Sequence, residues 1–140
     1  PEAIGGARAI SLSIEEAGMQ DETEIYINAH GTGTPLNDKS ETIAIKKALG
    51  DKAYGALISS TKSMTGHMLG AAGAVEAIAS VLSLKNSIIP PTIGYREKDE
   101  ECDLDYVPNK ARKKDINIAV SVSLGFGGHN ASIAFKKFNG

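Results

Sequence analysis

Between Lys62 and Lys85 the chain runs 22 residues with Glu76 as its only formal charge. A stretch of that length could span a bilayer. This one is rich in Gly, Ala, Ser and Thr rather than Leu or Ile, and it carries His67 as well as Glu76. Neither a lipid-facing helix nor a solvated surface helix is built this way, so the stretch predicts a helix buried inside a soluble protein. The 140 residues suit one domain over 1–140, which would bury roughly two-thirds of its surface.

The rest of the pattern supplies layers for that helix to lie against. Ala3, Ala7, Ile10, Ile14 and Ala17 recur at helical spacing, with Gly18 near the stop. Ile25-Tyr26-Ile27 is a β-rich run, and Ala56 to Ser59 is another. Between them, Asp38 with Glu41 three residues on forms a capping-box-like helix start. Ile45, Ala48 and Leu49 share a face of that helix, and Gly50 ends it. In the helix after His67, Val75, Ile78, Ala79 and Leu82 lie on one face and Gly73, Glu76, Ser80 and Ser83 on another. Pro90-Pro91 stops any continuation. Residues 92–115 read as a charged connection with a short strand at Leu104 to Val107. Ile116, Ile118, Val120 and Val122 then alternate with polar or small residues at strand period, and Ser132 to Lys136 is a last strand paired across the Gly125–Asn130 turn. The expected class is α/β, a mixed sheet flanked by helices, with ligands off the strand ends.

A net charge of −2 offers no general attraction to nucleic acid or anionic lipid. The short basic run Lys110 to Lys114, closed by Asp115, reads as a solvated loop rather than a patch for an acidic partner. One cysteine excludes an internal disulfide and suits a reducing compartment, so a cytoplasmic location is expected. Cys102 lies among Asp99, Glu100, Glu101 and Asp103, which disfavour its thiolate and argue against a nucleophile there. The chain opens at Pro1 and runs straight into a helical pattern, as a piece of a longer protein would.

Three polar, glycine-rich segments carry the chemistry, and all three histidines fall inside them. They are Asn28 to Pro35, Ser60 to His67 and Gly125 to Asn130. In the first, His30 precedes Gly-Thr-Gly-Thr, whose glycines let a ligand approach the main chain. No Gly-Lys-Ser/Thr follows, which excludes a P-loop. A lone histidine at a strand end is structural more often than catalytic. In the second, Lys62 and His67 bracket the entry to the apolar helix, whose positive end favours an uncharged imidazole that donates one hydrogen bond. Lys62 is either a surface lysine or buried with an anion, and Glu76 is the carboxylate nearby. Glu76 in turn needs Lys62 or a bound cation with oxygen ligands. In the third, Phe126 stands on a hinge of glycines, which reads as a gate or as a plain hairpin turn with a packed ring.

Together these segments resemble the elongating β-ketoacyl-[acyl-carrier-protein] synthases of the type II bacterial kind, over about Ile4 to Phe138. The resemblance implies the C-terminal half of a thiolase-like fold and a decarboxylating Claisen condensation that lengthens an acyl chain by two carbons. It implies that His30 and His67 hold the malonyl thioester carbonyl and its enolate, that Lys62 orders the site, and that Glu76 supports Lys62. Thr32 and Thr34 match threonines that contact the pantetheine arm. Phe126 matches the gating ring, with Gly125 and Gly127 in its flexible loop. Asn28, Glu76, Ser121 and the Val122 carbonyl match positions that hold a structural monovalent or divalent cation in some members, and no cofactor is otherwise required. The implied partners are acyl-carrier protein, the N-terminal half of the same enzyme and a second copy in a homodimer, with no nucleic acid or membrane.

The departure from the family is the nucleophilic cysteine, which belongs to the N-terminal half. The chain is therefore expected to be inactive alone. Initiating synthases carry Asn where His67 stands, and thiolases carry Cys-x-Gly where Gly-Phe-Gly-Gly-His-Asn stands, which disfavours both. A polyketide ketosynthase, a silent partner subunit that shapes the acyl tunnel, and a pure binding module remain as rivals.

Overall fold

The computed structural model describes residues 2–139. Helices α1 (Glu2–Glu16), α2 (Pro35–Leu49), α3 (Lys62–Thr65) and α4 (Ala72–Asn86) alternate with β1 (Ile25–Asn28) and β2 (Leu57–Ser59). The later strands are β3 (Ile88–Ile89), β4 (Arg112–Lys113), β5 (Ile118–Leu124) and β6 (Asn130–Lys136). The main sheet has the order β2-β1-β5-β6. Strand β1 runs parallel to both β2 and β5, while β5 and β6 form an antiparallel pair across the Gly125–His129 turn. The expected mixed sheet with flanking helices is what forms, and β3 and β4 make a separate two-stranded ribbon.

The two faces of the sheet differ in chemistry. Ile25, Ile27, Ile58, Ile118, Val120 and Val122 turn toward α1 and α2 and pack with Ile10, Ile14, Ile45 and Leu49 in one apolar core. The alternate positions, which include Tyr26, Asn28, Ser59 and Ser121, are also buried. Helix α4 covers that side. It packs on β5 and β1, and its Leu84 joins Tyr26 and Ala119 in a smaller cluster. Tyr26 Oη and Ser59 Oγ are hydrogen-bonded at 2.9 Å, which satisfies both hydroxyls.

Helix α4 departs from the usual arrangement. Glu76, Ser80, Ser83 and Leu84 face inward, whereas Ile78, Val81 and Leu82 are exposed, Ile78 by 61%. The Ser80 and Ser83 hydroxyls donate back to the Glu76 and Ala79 carbonyls, so both serines of the inward face are satisfied within the helix.

Several local expectations are corrected. Helix α2 starts at Pro35 with Thr34 in the extended N-cap conformation, so Asp38 and Glu41 do not form the capping box. Proline at the first helical position fixes the start four residues earlier than the acidic pair implied. The strand expected at Leu104 to Val107 is reduced to isolated bridges, Leu57 with Asp105 and Thr92 with Pro108. His67 does not stand at the first turn of α4. A 3-10 turn over Leu69–Ala71 intervenes, and Lys62 opens the short α3 instead of lying in a loop.

Candidate active site

The first two glycine-rich segments leave the C-terminal ends of neighbouring parallel strands, β1 and β2, and so emerge side by side. The His30 and His67 rings meet edge to face, with centroids 5.6 Å apart and planes at 88°. The Leu69 backbone N–H donates to His67 Nδ1 at 3.1 Å. That leaves Nε2 as the protonated nitrogen of a neutral ring, a hydrogen-bond donor toward a ligand. Leu69 reaches this geometry in the left-handed region, at φ 50°. His30 is half-buried and its Nδ1 is buried with no partner among the described residues. Burial, then the Lys62 ammonium, then His67 depress its pKa to about 4, so the ring is uncharged at neutral pH.

Lys62 is buried and donates to Glu76 Oε1. Burial of two opposite charges together is tolerable only with such pairing. The surface-lysine alternative is thereby excluded. Glu76 Oε2 is buried without a hydrogen-bond partner. Asn28 pairs in register with Ser121 and shares hydrogen bonds with the Thr61 hydroxyl, while its Nδ2 reaches the Glu76 carbonyl at 3.5 Å. Among the described residues no group of three or more His, Cys, Asp or Glu gathers to hold a metal. A buried carboxylate oxygen without a partner is a donor that a hard cation takes more readily than a transition metal does.

The main chain around His30 is gripped from two sides. Glu41, on α2, accepts the His30 N–H at Oε1 (2.7 Å) and the Gly31 N–H at Oε2 (2.8 Å). Ser60 Oγ donates to the Gly31 carbonyl at 2.6 Å. Gly31 sits at φ 38°, and a Cβ there would lie 2.5 Å from Ser60 Cβ, so glycine is required. Neither the Glu41 nor the Ser60 contact is announced by the local sequence, in which Glu41 resembles a capping carboxylate. Proline at 35 was the available signal, because it places Glu41 in the second turn, past any cap.

Gly31, Glu41, Ser60, Lys62 and His67 line a cavity of about 670 Å³ that reaches past Thr32 to Cys102 and Tyr106, whereas His30 and Glu76 are not among its lining residues. Thr32 and Thr34 are exposed, with hydroxyls 3.2 Å apart. Cys102 is half-buried; burial raises its pKa, and Asp99 and Asp38 push the same way. It is therefore a poor nucleophile, as its sequence neighbours implied. The third segment contributes no described residue to the cavity wall. Its glycines 127 and 128 adopt φ 77° and 82°, and the Phe126 side chain, the expected gate, lies outside the described part of the structure.

Residues 1–96 match the sequence profile of the family described as beta-ketoacyl synthase, C-terminal domain. A 3-oxoacyl-[acyl-carrier-protein] synthase 2 of Synechocystis is 51% identical over 99% of this chain, and one of Staphylococcus aureus is 54% identical over the same share. The chain spans 33% of the length of each. Among solved structures, a ketosynthase bound to a hexaketide and held in complex with its type II polyketide acyl-carrier protein superimposes with a TM-score of 0.92 at 41% identity, over 98% of this chain and 34% of that one. The sheet and its helices thus form the C-terminal part of a thiolase-like fold, and the chain belongs to the β-ketoacyl synthase C-terminal domain family.

Proposed function

We propose that this chain supplies the proton-handling half of an elongating 3-oxoacyl-[acyl-carrier-protein] synthase. The reaction is the decarboxylating condensation of an acyl thioester with malonyl-[acyl-carrier protein] in fatty-acid synthesis. The observation that carries the reading is the edge-to-face pair of His30 and His67 beside a buried Lys62–Glu76 ion pair. In this mechanism the malonyl C–C bond breaks, carbon dioxide leaves, and the electron pair becomes an enolate on the thioester oxygen. The His67 Nε2–H and the His30 ring donate to that oxygen as its charge develops. Donation by neutral rings stabilises the enolate without protonating its carbon, which then attacks the acyl thioester and expels the sulfur.

Lys62 acts on this site through its field, helping to keep His30 uncharged, and Glu76 keeps the ammonium in place. Thr32 at the cavity wall and Thr34, whose hydroxyl lies 3.2 Å from that of Thr32, would contact a pantetheine arm, and the glycines at 125 and 127 would let Phe126 swing. Asn28, Ser121, the Val122 carbonyl and the free oxygen of Glu76 would hold a structural cation, whose charge would settle the unpartnered oxygen. No other cofactor enters the reaction.

The acyl-bearing cysteine comes from the N-terminal portion of the same enzyme, for which the exposed Ile78, Val81 and Leu82 of α4 form the docking face. An apolar face turned outward over a polar one is costly unless something covers it. Acyl-carrier protein is the second partner. The joined enzyme would be a cytoplasmic homodimer, the location read from the one free cysteine of this chain and the dimer from the family resemblance. No helix among the described residues is long and apolar enough to cross a membrane.

A polyketide ketosynthase would share every step. The fatty-acid reading is preferred because identity to the two synthases is 51% and 54%, against 41% to the polyketide ketosynthase. A silent partner subunit would have no use for His30, His67 and Lys62 together. The test is condensation of malonyl- with acyl-carrier protein, by the chain alone and joined to a cysteine-bearing N-terminal portion. Activity is expected only in the joined form; turnover by the chain alone would refute the division of labour.

A further inference from the structure

We propose that Glu41 is a positioning residue whose carboxylate, by gripping the His30 and Gly31 amides together, fixes where the His30 ring stands. The two catalytic rings are anchored differently. His67 is held by its own Nδ1, through the Leu69 amide. His30 Nδ1 has no partner among the described residues, so the place of its ring is set by its main chain. That main chain is bound by Glu41 at 2.7 and 2.8 Å, one carboxylate oxygen per amide, and by Ser60 at the next carbonyl. Glu41 is 3% exposed, so water cannot replace it.

The grip depends on ionisation. A carboxylate accepts at both oxygens, whereas the protonated acid turns one oxygen into a donor that opposes an N–H. Burial raises the Glu41 pKa to about 6 against the lowering effect of the two amides, with Asp38 on the same helix raising it further and Asn37 lowering it through a hydrogen bond. The other titratable groups lining the same cavity are Lys62 of α3, His67, and Tyr95, Glu97, Asp99, Cys102 and Tyr106 of the long connection; burial keeps Cys102 and Tyr106 neutral at this pH. His30, with its pKa near 4, has already lost its proton where Glu41 titrates. Loss of the grip and protonation of the ring are therefore separate events on the pH axis.

The inference deepens the condensing-enzyme reading and rests on it for its catalytic consequence, but its first test does not use activity. The His30 and Gly31 amide protons and the Glu41 side-chain carboxyl carbon are followed by NMR in this chain from pH 4.5 to 8. All three are expected to share one midpoint near 6, with both amide protons moving upfield as pH falls, and the amide inflections should vanish in Glu41→Gln. Amides that do not move with the Glu41 carboxyl, or that keep their inflection in Glu41→Gln, would overturn the proposal. The wild-type titration decides even if the variant fails to fold. In the joined enzyme, malonyl decarboxylation should lose rate below pH 6 in wild type and lose that acid limb in Glu41→Gln. An inactive joined enzyme with co-titrating amides would sink the functional reading and leave the positioning role intact.

Discussion

Across β1, β2 and the first five residues of β5 the two faces of the main sheet are both buried and differently built. Under α1 and α2 the sheet offers isoleucine and valine, and the adhesion is dispersion and the exclusion of water. Under α4 it offers Tyr26, Asn28, Ser59 and Ser121, and the helix answers with Glu76, Ser80 and Ser83. The first face tolerates changes of shape within limits. The second holds buried polar groups tied by specific hydrogen bonds, Tyr26 to Ser59, Asn28 to Thr61 and Lys62 to Glu76, so removing one partner strands the other. Lys62 and Glu76 belong to that second face, and through Lys62 it reaches the histidines. The candidate-site end of the molecule is thus stiffened by polar pairing rather than by a larger core, and α4 is left with Ile78, Val81 and Leu82 turned outward.

The sharpest break in this contrast is Glu76→Ala, which strands a buried ammonium. It should cost about 3–5 kcal/mol in denaturant unfolding, and the double change Lys62→Met with Glu76→Leu should recover much of that loss. Equal losses in single and double variants would show the pair to be unimportant. On the apolar face, Ile27→Val should cost about 1 kcal/mol by the same assay, since one methyl leaves a packed core. A loss as large as that of Glu76→Ala would erase the distinction between the faces.

A smaller effect concerns pH. The depressed pKa of His30 means the unfolded chain binds a proton between pH 6.5 and 4 that the folded chain refuses, so wild-type stability falls as pH drops through that window. Relative to wild type, the Tm of His30→Gln should therefore rise as pH is lowered from 6.5 to 4; a constant difference would contradict the buried, uncharged ring. Smallest for the chain itself is Leu82→Lys on exposed α4, with under about 0.5 kcal/mol of change. The same substitution should abolish assembly with the N-terminal portion in size-exclusion chromatography. Unchanged assembly would reassign the apolar face.

Much of this was legible in the residues. Period-two alternation located β5, the helical spacing located α1, and the segments after Ile27 and Ser59 were placed off strand ends, where they are found. What escaped was longer in range. Residue faces on α4 were separated correctly, but its polar side being the buried one depends on a sheet face whose tyrosine, asparagine and serines are distant in sequence. Glu41 read as a helix cap because a capping carboxylate and one that reaches back eleven residues to His30 look alike locally. His67 read as the start of α4 because nothing in Met68-Leu69-Gly70 announces the 3-10 turn that carries Leu69 into the left-handed region.

The central claim is that His30 and His67 act as one unit on a single oxygen. It is tested most directly by malonyl-carrier decarboxylation in the joined enzyme with His30→Ala, His67→Ala and both. Each single change should lower the rate by 10²-fold or more, the loss typical of removing one oxyanion donor, and the double should be little slower than the worse single, as for residues that work together. Losses that multiply in the double variant, or a single variant that decarboxylates at the wild-type rate, would mean that the two rings serve different ends.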